Sequence, residues 1–220
     1  MFGTDKMSAI HADFDINYVW DYQSREEGLR NLYEKSKGGH WNAKTDPDWS
    51  IDVDPEAENT PDQTIPWYGT SHWNKLSEAN IRSIRHSGQA WTLSQFMHGE
   101  QGALMVASQL VTCAPTHDAK LYAASQTFDE ARHVEVFHKY LMERCHMIYP
   151  INPNLKFLLD KVLTDERWDL KFIGMQILIE GLALAAFQTI HATTDDPLLR
   201  DIVGLVMRDE GRHVAFGVNY

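Results

Sequence analysis

Six side chains in this sequence could hold metal, and the chain writes them out in two copies. DEARHV occupies Asp129 to Val134 and DEGRHV occupies Asp209 to Val214. Each copy places a glutamate three residues before a histidine: Glu130 with His133, and Glu210 with His213. Positions i and i+3 share a helix face, so each copy can aim a carboxylate and an imidazole at one point. Glu100 stands 30 residues before Glu130, and Glu180 stands 30 before Glu210. Two such halves supply four carboxylates and two imidazoles, the ligand set of a dinuclear iron or manganese site inside a four-helix bundle. A lone Glu-x-x-His says little; two copies with partner glutamates at matched distance say a great deal.

The charges point the same way. Four glutamates gathered in an apolar layer would repel one another and lose hydration, at a cost of several kcal/mol for each unpaired ion. Two divalent cations would bring that layer close to neutrality. Carboxylate and imidazole donors suit iron and manganese, while the lack of thiolates disfavours structural zinc. The bland alternative is a buried salt-bridge network in which Arg132 and Arg212 pair with the acids. It explains neither the repeated spacing nor the two histidines. Asp129 and Asp209 each precede a ligand glutamate by one residue and so face sideways, toward a neighbouring helix. The expectation is a crossed arrangement, Asp129 holding His213 and Asp209 holding His133, with Arg132 and Arg212 keeping the aspartates ionised. The other nine histidines are expected to be ordinary.

The elements that must position these residues follow from hydrophobic period and punctuation. Residues 77–220 read as an all-α bundle of four long helices. Ser77 is an N-cap for a first helix to about Thr112, with Leu93, Phe96, Met97, Glu100, Ala103, Leu104 and Ala107 inward. Pro115 breaks the pattern. A second helix, about Thr116 to Met147, turns Glu130, His133 and Phe137 inward. Pro150 and Pro153 mark a crossover with a short helix near Asn154 to Leu163. Thr164 is expected to cap a third long helix to Ala192, with Ile173, Ile177, Glu180, Ala183, Leu184 and Phe187 inward. Pro197 starts the fourth, which carries Val206, Glu210, His213 and Gly217 inward. Pro115 is 15 residues from both Glu100 and Glu130, and Asp195 is 15 from both Glu180 and Glu210. Equal arms put each pair of glutamates at one height, roughly 22 Å from its turn. Residues 1–76 form an N-terminal extension: a helix from about Tyr18 to Lys37 stopped by Gly38-Gly39, then a stretch rich in proline, acid and tryptophan that wraps the bundle. The fourth helix has ten residues after Glu210, and the expectation is a bundle incomplete at its C-terminus.

Hydrophobic residues make up 43% of the 220, enough for a substantial core, and the formal net charge of −11 comes with no basic run. Nucleic-acid binding is not expected. Cys113 and Cys145 have neither metal spacing nor a disulfide framework, which suits a cytoplasmic protein. The N-terminus lacks an apolar signal core. Phe172 to Ile190 is apolar and long enough to span a bilayer, but Glu180 at its middle favours a bundle helix over a membrane span.

On Glu100, Glu130-x-x-His133, Glu180 and Glu210-x-x-His213, with Asp129, Arg132, Asp209 and Arg212 around them, the chain resembles the ferritin-like di-iron carboxylate superfamily. The branch it resembles is that of ribonucleotide-reductase-like proteins and di-iron oxygenases. The resemblance implies a four-helix bundle with one long crossover and an enzyme that activates O2 at two irons, manganese being an option. It departs from particular branches. Phe137 replaces the radical tyrosine of reductase subunits, Leu184 replaces a hydroxylase threonine, and Val206 stands where arylamine N-oxygenases carry an extra histidine ligand. Phe96, Met97, Leu104, Ile177, Leu184 and Phe187 are apolar, and Ala103 and Ala183 leave room beside a glutamate. These eight are the expected walls of a pocket for a small apolar substrate. No flavin or iron–sulfur motif is present, so an external electron donor, a reductase or ferredoxin, is expected. A homodimer is compatible with this reading. The rival is an iron-handling ferroxidase without an organic substrate.

Overall fold

The computed structural model describes residues 7–220 and is all-α, with no strand among them. Seven helices occur in order: α1 Glu27–Gly38, α2 Glu78–Cys113, α3 His117–Tyr140, α4 Pro153–Thr164, α5 Trp168–Phe172, α6 Glu180–Thr193 and α7 Pro197–Asn219. Residues 1–6, the start of the stretch read as lacking a signal core, lie outside the described range. α2 and α3 form one antiparallel hairpin and α6 and α7 the other, with α3 against α7 between them. α4 is the crossover helix and lies on α2. α1 lies across α3 and α7.

The boundaries have local causes. The Ser77 side chain accepts from the Asn80 N–H and starts α2, and Thr116, Asn152 and Asp196 cap α3, α4 and α7 in the same way. These caps satisfy amide groups that the first helical turn leaves without partners. α1 starts at Glu27 and not near Tyr18. Asp118 Oδ2 accepts the backbone N–H groups of Arg25 and Glu26 and the Ser24 hydroxyl, which pins the chain just ahead of the helix. Thr164 ends α4 instead of capping the next helix; its hydroxyl donates to the Asp160 carbonyl, and Arg167 precedes α5 without a side-chain cap. α3 passes through π-helical turns at Leu141–Cys145 and stops at His146, which is left-handed at φ 51°.

The third bundle helix departs most from simple periodicity. Between α5 and α6, Ile173–Ile179 is π-helical. The wider turns advance each residue through a smaller angle, so a 3.6-residue stripe cannot be carried across them. Met175 and Gln176 face inward, while Ile173 and Ile177 are 43% and 42% exposed. The expected pocket wall at Ile177 is therefore corrected: that side chain points away from the bundle interior. Trp168–Thr193 is long and apolar enough to cross a membrane by composition alone. Glu180 in its middle is buried, and α7 packs along it.

The apolar core is split in two. One cluster contains Leu93, Met97, Phe137, Phe187, Leu199, Val203 and Val206. The other contains Ala103, Val106, Leu110, Tyr122, Ala123, Met175 and Phe216. The buried glutamates and histidines fill the layer between them.

Candidate metal centre

Each bundle helix delivers its share to this layer. α2 brings Glu100, α3 brings Glu130 and His133, α6 opens on Glu180, and α7 brings Glu210 and His213; all six are buried. One ligand atom from each of Glu100, Glu130, His133 and Glu210 lies within 4.8 Å of the others, and the same holds for Glu130, Glu180, Glu210 and His213. Glu130 and Glu210 belong to both groups. The two groups thus overlap in one carboxylate from each hairpin. Each group also has a glutamate and a histidine of its own.

The imidazoles are aimed for this purpose. His133 Nδ1 lies 3.2 Å from Glu100 Oε2 and 3.1 Å from Glu210 Oε1. His213 Nδ1 lies 3.2 Å from Glu130 Oε1 and 3.4 Å from Glu210 Oε2. The opposite ring nitrogens meet aspartates across the bundle: His133 Nε2 is 3.1 Å from Asp209 Oδ2, and His213 Nε2 is 3.3 Å from Asp129 Oδ2. An Nε2–H donated to aspartate leaves the Nδ1 lone pair facing the carboxylates. Arg132 Nη2 donates to both aspartates, at 2.5 Å to Asp129 and 2.9 Å to Asp209. Arg212 Nη2 does the same, at 3.1 and 2.5 Å. The arginines therefore pair with the aspartates, and the glutamates are left without a fixed cation.

Titration behaviour follows from these contacts. Burial pushes the carboxyls of Glu100 and Glu180 well above the usual range, with neighbouring carboxylates adding repulsion. Burial acts in the same direction on Glu210, but the adjacent imidazoles overcome it and hold that carboxyl low. Burial would lower both histidines, yet the carboxylates around them raise His133 and His213 well above their ordinary value. Asp209 and Asp129 resist their own burial through the facing histidine and the arginines, and both stay low. Protons thus stand in for cations when the layer holds no metal. The donor set fits metal on a further observation. Glu130 Oε2, both Glu210 carboxylate oxygens and His213 Nδ1 are buried without any hydrogen-bond partner. Buried polar atoms in native proteins are nearly always satisfied.

Three contributors were not singled out in the sequence. The Trp41 indole N–H donates to Asp209 Oδ2 at 2.8 Å, and its ring lies 6.2 Å from that of His133. His40 Nδ1 lies 2.8 Å from Arg132 Nη1. Gln126 Nε2 donates to Glu130 Oε1 and Glu180 Oε1, both at 3.0 Å. No spacing links residue 41 to residue 209. Gln126 could have been found, because it lies four residues before Glu130 on the same helix face.

On one side of the layer, three rings pack together. Phe96 lies 4.6 Å from Phe187, and Phe137 lies 5.7 Å from Phe187, centroid to centroid. Met97 is buried with them; Ala183 and Leu184 are partly buried. Ala103 and Leu104 lie on the other side of Glu100, Ala103 within the second core cluster. Beyond the rings, a cavity of about 630 Å³ opens between residues 57–67 and α2, with Trp67, Trp91, Leu93, Ile190 and Leu199 in its wall.

Comparison with known proteins agrees with this geometry. The sequence model of the family described as P-aminobenzoate N-oxygenase AurF matches residues 22–220. No curated protein sequence matches the chain significantly. Among solved structures, an R2-like ligand-binding oxidase from Sulfolobus acidocaldarius is similar at TM-score 0.56 and 19% identity, over 91% of this chain and 72% of that one. An R2-like ligand-binding oxidase with a Mn/Fe cofactor is similar at TM-score 0.56 and 18% identity, over 90% of this chain and 69% of that one. At these identities the likeness shows the ferritin-like fold.

Proposed function

The chain belongs to the family of P-aminobenzoate N-oxygenase AurF, and from that premise we propose that it is a dinuclear, iron-using oxygenase acting on a small, largely apolar organic molecule. The observation that carries the proposal is the pair of overlapping ligand groups that share Glu130 and Glu210. Glu100, Glu130, His133 and Glu210 would hold one ion, and Glu130, Glu180, Glu210 and His213 the other. Two ferrous ions held there would supply the electrons and open coordination positions that reduction of dioxygen needs; manganese fits the same donors.

The protein's own residues do the rest. Asp129 and Asp209 fix the histidine tautomers, and Arg132 and Arg212 keep the aspartates charged. Phe96, Phe137 and Phe187 exclude water from one side of the layer and offer a flat apolar wall to a substrate. Met97, Ala183 and Leu184 extend that wall; Ala103 and Leu104 line the opposite flank of Glu100. The cavity beyond the rings is the proposed approach route. Val206 is buried and apolar, so the centre proposed here has six protein ligands and no third imidazole. Electrons would come from a separate reductase or ferredoxin. Residues 1–76 as extension and 77–220 as bundle remain the proposed division, with Trp41 of the extension completing the centre.

The test is anaerobic reconstitution with ferrous iron, followed by dioxygen with and without small aromatic and aliphatic candidates. The expected result is two irons per chain, fewer in Glu130→Ala, and oxygen consumption coupled to an oxidised organic product. One iron per chain would reject the dinuclear centre. Iron oxidation with no organic product from any candidate would favour a ferroxidase.

A further inference from the structure

The two halves differ in one respect that the ligand pattern hides. On one side of the layer, Phe96, Ile202 and Val206 are apolar and belong to or pack against the first core cluster. Eighty residues along the repeat, the matching positions are Gln176, Tyr122 and Gln126. All three are fully buried. Gln126 Oε1, the Tyr122 hydroxyl and both amide atoms of Gln176 have no hydrogen-bond partner in the protein.

These groups share one neighbourhood. Tyr122 and Gln126 are four residues apart on α3, on the face that carries Glu130. Gln126 spans to Glu180 through its amide, and Gln176 is buried in the π-helical turns that lead into Glu180. The backbone of Gln176 lies against Gly217, and the ring of Phe216, next in sequence, is 4.7 Å from the ring of Tyr122. Bare donors and acceptors thus collect beside the otherwise apolar second core cluster. Buried polar atoms without a protein partner are satisfied by ordered water where the site is polar enough. The group they hold must both donate and accept.

We propose that Tyr122, Gln126 and Gln176 enclose a site for ordered water on the Glu130–Glu180 side of the centre. The water hydrogen-bonds to the two amides and the phenol, and through Gln126 it supports the placing of both carboxylates. The layer then has a wet side and a dry side, and only the dry side, under Phe96, Phe137 and Phe187, is left to an organic molecule. The water site itself does not depend on metal or on the proposed reaction, so it can be tested in metal-free protein.

Two variants keep the shape and remove the polar atoms: Tyr122→Phe and Gln176→Met. The readouts are thermal melting of the metal-free proteins and water density in high-resolution crystals of the metal-free wild type. If water fills the site, each variant loses hydrogen bonds and should melt lower by roughly 3 °C or more. The wild type should show water within hydrogen-bond distance of the Tyr122 hydroxyl and the Gln176 amide. Variants that melt at or above the wild-type temperature would overturn the proposal, as bare polar atoms gain from removal. So would a dry site, or an organic molecule in place of water. Failure of Gln176→Met to fold leaves Tyr122→Phe and the wild-type density to decide.

Discussion

At the residue scale, the centre depends on which atom each side chain presents. Asp129→Asn keeps the size of the side chain but can turn an N–H toward His213 Nε2 and so favour the wrong tautomer. Iron affinity or oxygenase activity should fall about 10- to 100-fold, as is typical when such an outer partner is lost. Iron titration of the folded variant checks this; unchanged affinity and activity would show the contact to be idle. Acid–base behaviour gives a second prediction. Folding raises Glu100 and Glu180 above 4.5 and His133 and His213 above 6.5. The metal-free folded protein therefore holds more protons than its unfolded chain across neutral pH. Stability contributed by the histidines is complete below about pH 6.5 and lost as pH rises through their folded values. The raised glutamates add a loss in the same direction. Asp129, Asp209 and Glu210 are lowered, so their contribution is already complete above about pH 4.5 and does not offset this. Melting of metal-free protein should move down as pH rises above about 6.5, and iron-loaded protein should show much less slope. The six clustered glutamates and histidines and both aspartates could be read in the sequence because each sits in a repeated local spacing. Trp41 and His40 could not, because their partners are far away in the chain and no period connects them.

At the element scale, helix number, order and turns follow from prolines, caps and equal arm lengths around Pro115 and Asp195. The miss at Ile173 and Ile177 has a single physical source: a 3.6-residue stripe was extended through seven π-helical residues. Those turns also pack against α7. A Cβ on Gly217 would come within 3.0 Å of the Gln176 carbonyl oxygen and 2.9 Å of its Cβ. That obstacle is backbone and cannot swing away. At Gly102 the obstacle is the end of the Leu159 side chain, 2.5 Å from the added carbon, and a rotamer change can clear it. Alanine gains up to about 1 kcal/mol over glycine in a helix interior, while overpacking costs roughly 1–3 kcal/mol. Gly217→Ala should therefore destabilise the protein clearly more than Gly102→Ala, measured by denaturant melts of both. Equal effects would mean that the π-helical turns yield easily.

At the scale of the whole molecule, the two hairpins hold one another through the centre. His133 is steered by an aspartate of α7 and His213 by an aspartate of α3, and Glu130 and Glu210 belong to both ligand groups. No hairpin owns a finished cation position. This crossing has a kinetic consequence. Contacts between residues as distant as 100 and 210 close only after both hairpins have docked, so the complete set of ligands should be absent from the folding transition state. Metal bound to the native protein should then leave the refolding rate nearly unchanged and slow unfolding by nearly the whole of its stabilising effect. Stopped-flow refolding and unfolding, with ferrous iron under anaerobic conditions and with chelator, would show one limb of the chevron shifted and the other in place. The centre would act as a latch on the way out of the native state, giving the loaded enzyme a lifetime far longer than its folding speed alone would suggest.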